Sequence, residues 1–370
     1  MVAPAGLVLA GLTARSGQVG IAAELINARG GVRFSVGSPQ QGCWLLDPVM
    51  CGPERIRDLY AQGSRGADLA VITGTGGLFD ARTVPGGFVE GTAPGSPAHV
   101  AILLGLPVVL VIDLSGMSQT VGAVIKGITS MDTSVRIAGV VLLGWSGETH
   151  RETCRSAVEA QGIPVVDDLD GIAALAEHPA TGRERGAGAS VKKHPDNPVI
   201  AVATGTQPEW AYLLSAEGAQ VVDFDPRTDQ TPDCDGLIIT GGIAPDLRTH
   251  VASGKPLYVE GLAAGQLAKQ LKLDLSSGDY DADVYREAVA LDHSLMCEAG
   301  QRVIGVDRAK AVSVTSPGWA PMWGWRTTTR LVREGFQRGN VSATSLGIHP
   351  AGVAGAVERF VAACAGQVPQ

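Results

Sequence analysis

The residues after the first apolar run have the composition of a phosphate-binding turn. This stretch, AGLTARSGQVG at 10–20, keeps the small residues of such a turn at Gly11, Ser16 and Gly17. A phosphate loop also uses a Lys to reach the phosphates and a Ser or Thr hydroxyl to bind Mg²⁺. Gln18 and Val19 stand at those two places. The stretch predicts either a vestigial nucleotide-binding loop or an ordinary strand-to-helix turn, and Mg-ATP binds only if the phosphate site still functions.

Two further pairs of polar residues have spacings that allow chemistry. Ser96 and His99, in GSPAHVA, are placed either to cap a helix or to contact a ligand. His293 and Cys297 are four residues apart and could share one helix face as metal ligands. Because no third ligand is apparent near them, we interpret this second pair as structural and predict no metal site.

The aromatic residues concentrate in one short segment. Trp319, Trp323 and Trp325 lie within seven positions, whereas aromatic residues make up only 5% of the chain. Such a cluster either packs inside a loop or stacks on a large planar ligand. Trp323 is therefore a candidate ligand contact.

Short apolar runs that alternate with helical segments set the framework for these residues. They lie at 7–10, 69–72, 108–112 and 140–143, at 164–166, and again at 199–203, 219–224, 236–239 and 256–259. This alternation predicts α/β domains with parallel sheets. The charged, Gly- and Pro-containing stretch at 177–197 interrupts it and reads as a linker. We therefore predict two domains, 1–176 and 198–370.

Composition excludes several classes of protein. The chain has 370 residues, a net charge of -8 and no long basic run, which disfavours nucleic-acid binding. It contains no uninterrupted apolar stretch long enough to span a membrane. The six cysteines are scattered without a CxxC pair, which favours reduced thiols. We expect a cytoplasmic protein with no membrane contact.

The order of four segments resembles one known family. The loop at 10–20 and the segments 67–81, 95–127 and 135–150 are similar, in this order, to the synthetase domain of cobyrinic acid a,c-diamide synthases, which are related to dethiobiotin synthetases. In the second half, DGLIITGGIAPDL resembles the family's Gly-rich turn and KPLYVEGLAAG its nucleophile elbow. REGFQRGNVSATSLGIHPAGVAGAVERFV resembles its closing block.

The resemblance implies a fold and an activity. The fold is a P-loop, dethiobiotin-synthetase-like domain with a parallel sheet, followed by a class I glutamine amidotransferase-like α/β domain. Members of this family use ATP to activate side-chain carboxylates of a corrin precursor on the cobalamin pathway. Their glutaminase domain supplies the ammonia. Association as a homodimer, or with a true synthase, is compatible with this family.

Residues on which the family's ATP-dependent step depends are replaced in this chain. By the resemblance, Gln18 stands at the P-loop Lys and Val19 at the Mg²⁺-binding hydroxyl. Thr73 replaces a Glu after the second strand, where a hard cation prefers a carboxylate. Leu143 replaces an Asn suited to base recognition. The resemblance therefore implies a weakened nucleotide site.

The glutaminase residues are replaced as well. Gly261 occupies the position of the elbow Cys, and Gly347 aligns with the catalytic His. His349 matches a second His of the closing block and is a candidate ligand contact. Because a class I glutaminase needs a Cys thiolate activated by a His, no catalytic residue is predicted.

These replacements predict a divergent, catalytically impaired relative of the diamide synthases. It would act by binding a corrinoid or by modulating a true synthase. The alternative is an active ATP-dependent amide ligase that uses free ammonia. A third hypothesis, an unrelated substrate on the same scaffold, stays open because fold alone does not define function.

Overall fold

The computed structural model describes residues 3–13, 16–37, 40, 42–81, 90–180, 197–240, 242–277, 284–307, 309–310, 312–327 and 330–367. The described residues up to 180 form one compact unit and those from 197 onward form a second. Most of the predicted linker at 177–197, namely 181–196, lies outside the described residues. Glu177 still belongs to the first unit, since its backbone exchanges two hydrogen bonds with Gly6, of 2.7 and 3.0 Å.

The first unit is a parallel sheet with helices between its strands. Its strands are β1 (Gly6–Gly11), β2 (Val32–Val36), β3 (Trp44–Leu45), β4 (Ala70–Gly77), β5 (Val108–Asp113) and β6 (Ile137–Leu143). They lie in the order β3-β2-β4-β1-β5-β6, and every pairing is parallel. The helices are α1 (Gln18–Arg29), α2 (Pro48–Cys51), α3 (Ile56–Gly63), α4 (Pro97–Leu104), α5 (Val121–Met131), α6 (Glu148–Glu159) and α7 (Leu169–Ala174).

Apolar residues on both faces of these strands account for the sheet. Leu7 and Leu9 of β1 pack with Val109 and Val111 of β5 and with Leu25 of α1 in one buried cluster. Strands covered on both faces need such near-continuous apolar runs. Since the sheet is parallel, the loops after β1, β4, β5 and β6 leave from the same edge, where ligands of open α/β sheets bind.

The strand predicted at 164–166 is wrong. Only a single bridge forms there, between Val165 and Val140 of β6. Pro164 has no N–H to donate to a ladder, and the chain turns at Asp168, which caps α7 through Gly171 N–H. The segment is therefore too short to extend the sheet.

The second unit contains a mainly parallel sheet. Its members are β7 (Val199–Ala203), β8 (Gln220–Phe224), β9 (Gly236–Ile239), β10 (Leu257–Glu260), β17 (Phe336–Arg338) and β18 (Val341–Thr344), in the order β17-β18-β10-β9-β7-β8. Only the β17–β18 pairing is antiparallel. The helices of this unit are α8 (Pro208–Ala216), α9 (Arg248–Ser253), α10 (Leu262–Gln270) and α11 (Ala356–Cys364).

An antiparallel sheet that the sequence analysis did not anticipate packs in the same unit. It consists of β12 (Tyr285–Ala290), β13 (Arg302–Asp307), β15 (Trp323–Arg326), β16 (Leu331–Glu334) and β19 (Leu346–Gly347), in the order β16-β15-β12-β13-β19. The short strands β11 (Leu275–Ser277) and β14 (Val312–Val314) pair separately. Trp323 and Leu346 from this sheet share a core with Tyr258 of the parallel sheet and with Trp210 and Phe360 of the helices.

None of the helices in the described part of the chain has the length and apolar character needed to cross a membrane.

Candidate functional site

The turn after β1 is closed by its own side chains. Ser16 is buried, and its Oγ accepts a hydrogen bond from Thr13 N–H at 3.1 Å. A methyl group added at Gly11 would overlap Ser16 Cβ and Oγ, so the Ser16 side chain lies directly against Gly11. In a phosphate loop, backbone N–H groups of this kind face the anion. Here the Thr13 N–H donates to the Ser16 hydroxyl instead of facing an anion.

Gln18 folds into the same turn instead of extending from it. It is the first residue of α1, it is 1% exposed, and its Nε2 donates to Thr13 O at 3.3 Å. Its Oε1 is buried without a hydrogen-bond partner. Gly17, at φ 85°, makes the turn that brings Gln18 inward. The carboxamide therefore supplies no positive charge at this helix start.

Thr73 is buried within the sheet. It lies on β4, and its Oγ1 donates to Phe34 O of the neighbouring strand at 3.3 Å. The carboxylate of Asp80, the closest acid after β4, accepts Gly77 N–H at 2.8 Å within its own turn. Across the described residues, no group of three or more His, Cys, Asp or Glu side chains is arranged to hold a metal ion. Thr73 therefore lies inside the sheet and away from solvent, whereas Asp80 is exposed.

Ser96 and His99 form the cap of α4. Ser96 Oγ accepts His99 N–H at 3.2 Å, and His99 Nδ1 accepts Gly95 N–H at 3.1 Å. These two bonds satisfy donors that a helix start leaves free. Burial lowers the pKa of His99, so the neutral ring that accepts this bond is favoured. The capping interpretation accounts for both residues.

The strand-to-helix turn after β10 keeps the backbone of a nucleophile elbow. Gly261 has φ 74° and ψ -139°, a conformation that costs free energy for any residue with a Cβ. Its N–H donates to Thr344 O at 2.8 Å. The next residue, Leu262, begins α10 and is 60% exposed. The turn therefore presents an apolar surface and no nucleophile. Gly241, in the segment that resembles the family's Gly-rich turn, lies outside the described residues.

The closing block holds His349 in a structural contact. His349 is buried, and its Nδ1 accepts Ala351 N–H at 3.2 Å, which caps a short 3₁₀ helix at Pro350–Gly352. Gly347 lies on β19 and pairs with Val306 of β13. The aligned base position therefore carries only backbone, and this nitrogen of His349 is engaged by the main chain.

Buried carboxylates, which the sequence analysis missed, connect these elements. Glu260 accepts from Tyr258 Oη at 2.9 Å and from Ile348 N–H at 3.1 Å. Glu334 accepts from Thr344 Oγ1 at 2.7 Å and from both N–H and Oγ of Ser345, at 2.6 and 2.7 Å. Burial raises the pKa of Glu334 to about 7 despite these three donors. A Glu directly before a Gly at the end of a short strand is the sequence signal that could have identified Glu260 and Glu334.

The remaining sequence candidates are inside the protein. Trp323 is completely buried in the second core, where its ring packs and does not line a surface. All six cysteines are free and buried. Burial raises the pKa of Cys297 to about 12 and also raises that of Cys234, so both remain protonated thiols. His293 is the exception, because it is exposed; its backbone N–H donates to Asp292 Oδ1 at 2.8 Å.

The chain thus comprises two α/β units, the first with a Gly-containing turn after β1 and the second with a strand-to-helix elbow after β10. No protein-family profile matches the chain. Among curated proteins, a hydrogenobyrinate a,c-diamide synthase of Mycobacterium tuberculosis is 32% identical, covering 88% of this chain and 87% of its own length. The Streptomyces coelicolor enzyme of that name is 31% identical, covering 86% of each chain.

A cobyrinate a,c-diamide synthase of Gloeobacter violaceus is 32% identical, over 88% of this chain and 85% of its own. The chain therefore belongs to the hydrogenobyrinate/cobyrinate a,c-diamide synthase family. Among solved structures, a glutamine amidotransferase of Thermotoga maritima is similar, with a TM-score of 0.33 and 12% identity over 46% of this chain and 83% of its own.

The titration of Glu334 gives a pH dependence of stability. Because its pKa is raised from about 4.5 to about 7 on folding, the folded chain binds more protons than the unfolded chain between these values. The contribution of Glu334 to the free energy of unfolding should therefore fall as pH rises from 4.5 to 7 and then level off. Urea unfolding followed by near-ultraviolet circular dichroism would measure it.

Glu334→Gln should flatten this dependence, whereas Glu287→Gln, at an exposed position of β12, should leave it unchanged. An identical pH dependence in the wild type and Glu334→Gln would contradict the assignment.

Proposed function

We propose that this chain is a non-catalytic member of the diamide synthase family that acts by binding a corrinoid. The observation that carries the first part is a glycine at each of the family's two glutaminase positions. Gly261 lies in a turn whose backbone is otherwise that of an elbow, and Gly347 lies on β19. Removing members of a catalytic triad costs about 10⁴ to 10⁶ in rate. Loss of both the nucleophile and its base leaves glutamine hydrolysis at the uncatalysed level.

The closed turn after β1 supports a parallel loss of the ATP-dependent step. Ser16 Oγ accepts the Thr13 N–H, and Gln18 donates to the Thr13 carbonyl in place of reaching toward phosphates. Val19 offers no hydroxyl for Mg²⁺. An ATP-dependent ligase needs the γ-phosphate held by positive charge and metal, and neither side chain provides this.

The corrinoid part of the proposal rests on the family and on one aromatic site. Of the three clustered tryptophans, Trp319 is partly exposed, while Trp323 and Trp325 are buried. The Arg338 guanidinium lies over the Trp319 ring, 4.6 Å from its centroid, and Phe336 packs edge-on at 5.4 Å. Corrin precursors carry carboxylates around a large ring, so an aromatic face beside a guanidinium is complementary to them.

Mg-ATP should bind more weakly than about 1 mM, which corresponds to about 4 kcal/mol. Titration calorimetry on the full chain would measure it. The variant Gln18→Lys with Val19→Thr should remain weak, because Ser16 still fills the turn. Adding Ser16→Gly to these changes should raise the affinity. Micromolar binding by the natural protein would contradict the proposal and favour an active ligase that uses free ammonia.

The natural protein should release no ammonia from glutamine. Gly261→Cys alone should stay inactive, since an unassisted thiol has a pKa of about 8.5 and is mostly protonated at neutral pH. Gly261→Cys combined with Gly347→His should recover a trace of turnover. Ammonia release is assayed for all three proteins. Activity of the natural protein that disappears in Cys234→Ala would show that the elbow lies elsewhere.

Titration with cobyrinate or hydrogenobyrinate should quench tryptophan fluorescence with saturation. Trp319→Phe should remove most of the signal, and Arg338→Gln should weaken binding measured by calorimetry. Trp145→Phe, which changes an exposed tryptophan of the first unit, is the matched control and should keep the saturable quenching. A folded natural protein that shows neither quenching nor heat would remove the corrinoid from the proposal.

A further inference from the structure

The first unit has an open cleft that the proposed function does not use. It has a volume of about 830 Å³ and lies beyond the carboxyl ends of β5 and β6. Its lining includes five hydroxyl side chains, those of Ser115, Ser118, Ser146, Thr149 and Thr153. This is the edge at which open parallel sheets bind ligands. It carries one imidazole, that of His150.

Ser146 and His150 are within hydrogen-bonding distance in this cleft. Ser146 Oγ lies 3.2 Å from His150 Nδ1. Ser146 belongs to the turn GWSG between β6 and α6, where Gly144 adopts φ 70°, and it is exposed to solvent. A Ser in contact with a His ring, on a strand-to-helix turn, has the arrangement of an activated nucleophile.

The backbone fixes which nitrogen of His150 carries the proton and which one accepts. His150 Nε2 lies 2.7 Å from Met117 O, in the loop after β5. A carbonyl oxygen only accepts, so Nε2 carries the proton and Nδ1 presents its lone pair. Nδ1 accepts Ser146 N–H at 3.1 Å and faces Ser146 Oγ. The Met117 carbonyl therefore holds the ring in the tautomer that can take the Ser146 proton.

The start of α6 supplies donors for a developing negative charge. This helix has twelve residues and begins at Glu148, and no side chain caps it at Gly147. First-turn N–H groups of a helix lack intrahelical partners and lie at its positive end. They adjoin Ser146 in sequence. An acyl carbonyl attacked by Ser146 can therefore place its oxygen near these groups, as an oxyanion requires.

We propose that Ser146 and His150 form a nucleophile–base pair that hydrolyses small acyl esters in this cleft. Ser146 Oγ bonds to the acyl carbon as its proton moves to His150 Nδ1. Collapse of the tetrahedral intermediate breaks the ester C–O bond, and the alcohol leaves with that proton. Water then attacks the acyl carbon as His150 Nδ1 takes one of its protons; the bond between the acyl carbon and Ser146 Oγ breaks, His150 returns that proton to Ser146 Oγ, and the carboxylic acid leaves.

A second histidine provides a comparison that distinguishes a catalytic role of His150 from a role in helix capping. His99 occupies the same place at the start of α4, and its Nδ1 accepts a backbone N–H at 3.1 Å, as His150 Nδ1 does. The residue that donates to His99 is Gly95, which has no hydroxyl. Both rings cap a helix, but only His150 also contacts a nucleophile. His99→Gln is thus a matched control for His150→Gln.

The experiment measures p-nitrophenyl acetate hydrolysis and labelling by a fluorophosphonate on the full chain. We expect the label on the peptide that contains Ser146. In Ser146→Ala, we expect the label to be absent and the hydrolysis rate to fall to background. Ser146→Ala keeps the backbone N–H bond to His150, so the cap and the fold are preserved. His150→Gln should lower the rate about 10²-fold or more, whereas His99→Gln should retain it.

Circular dichroism checks that each variant is folded. An unlabelled Ser146 in the natural protein, or an equal rate of hydrolysis in Ser146→Ala, would overturn the proposal. Hydrolysis lost equally in His99→Gln and His150→Gln, with Ser146→Ala unaffected, would also overturn it and assign both rings to capping alone. Neither result depends on whether the chain binds ATP, glutamine or a corrinoid.

Discussion

Carboxylates in the interior of the second unit persist only because fixed donors replace the water that they lost. An unsatisfied buried charge is costly, and a charge held by several hydrogen bonds is tolerated. Glu334 of β16 is bonded to Thr344 and Ser345, at the end of β18. Glu260 of β10 is bonded to Ile348, just beyond β19. These two side chains link the parallel sheet to the antiparallel sheet, and Thr344 O also holds Gly261 N–H.

This arrangement explains how the backbone of an elbow-like turn can be maintained without a reactive side chain at its tip. The conformation of Gly261 is maintained by the Thr344 carbonyl and by the buried strand before it, and neither depends on a reactive side chain. A chain without a nucleophile at this turn can therefore keep the backbone of the elbow. In the first unit, Ser16 and Gln18 both bond to Thr13 within the turn after β1.

The sequence alone predicted the parallel sheets of the two units. It did not predict the antiparallel sheet of the second unit. Runs such as 108–112 are apolar on both faces, which only a covered parallel strand requires. The strands β12 (YREAVA) and β16 (LVRE) are short and carry two adjacent charged residues each, so neither shows the apolar alternation that predicts a strand. The predicted site positions Gly261 and Gln18 could be located by resemblance. The direction in which Gln18 folds, and the burial of Trp323 and Glu334, depend on contacts distant in sequence.

All six cysteine thiols are free and buried, so the folded chain does not react with sulfhydryl reagents. A thiol reacts as its thiolate and only where a reagent reaches it, so modification of this protein has to wait until part of the structure opens. Three cysteines lie in each unit, Cys43, Cys51 and Cys154 in the first and Cys234, Cys297 and Cys364 in the second. The order in which these cysteines are modified therefore shows which unit opens first during local unfolding.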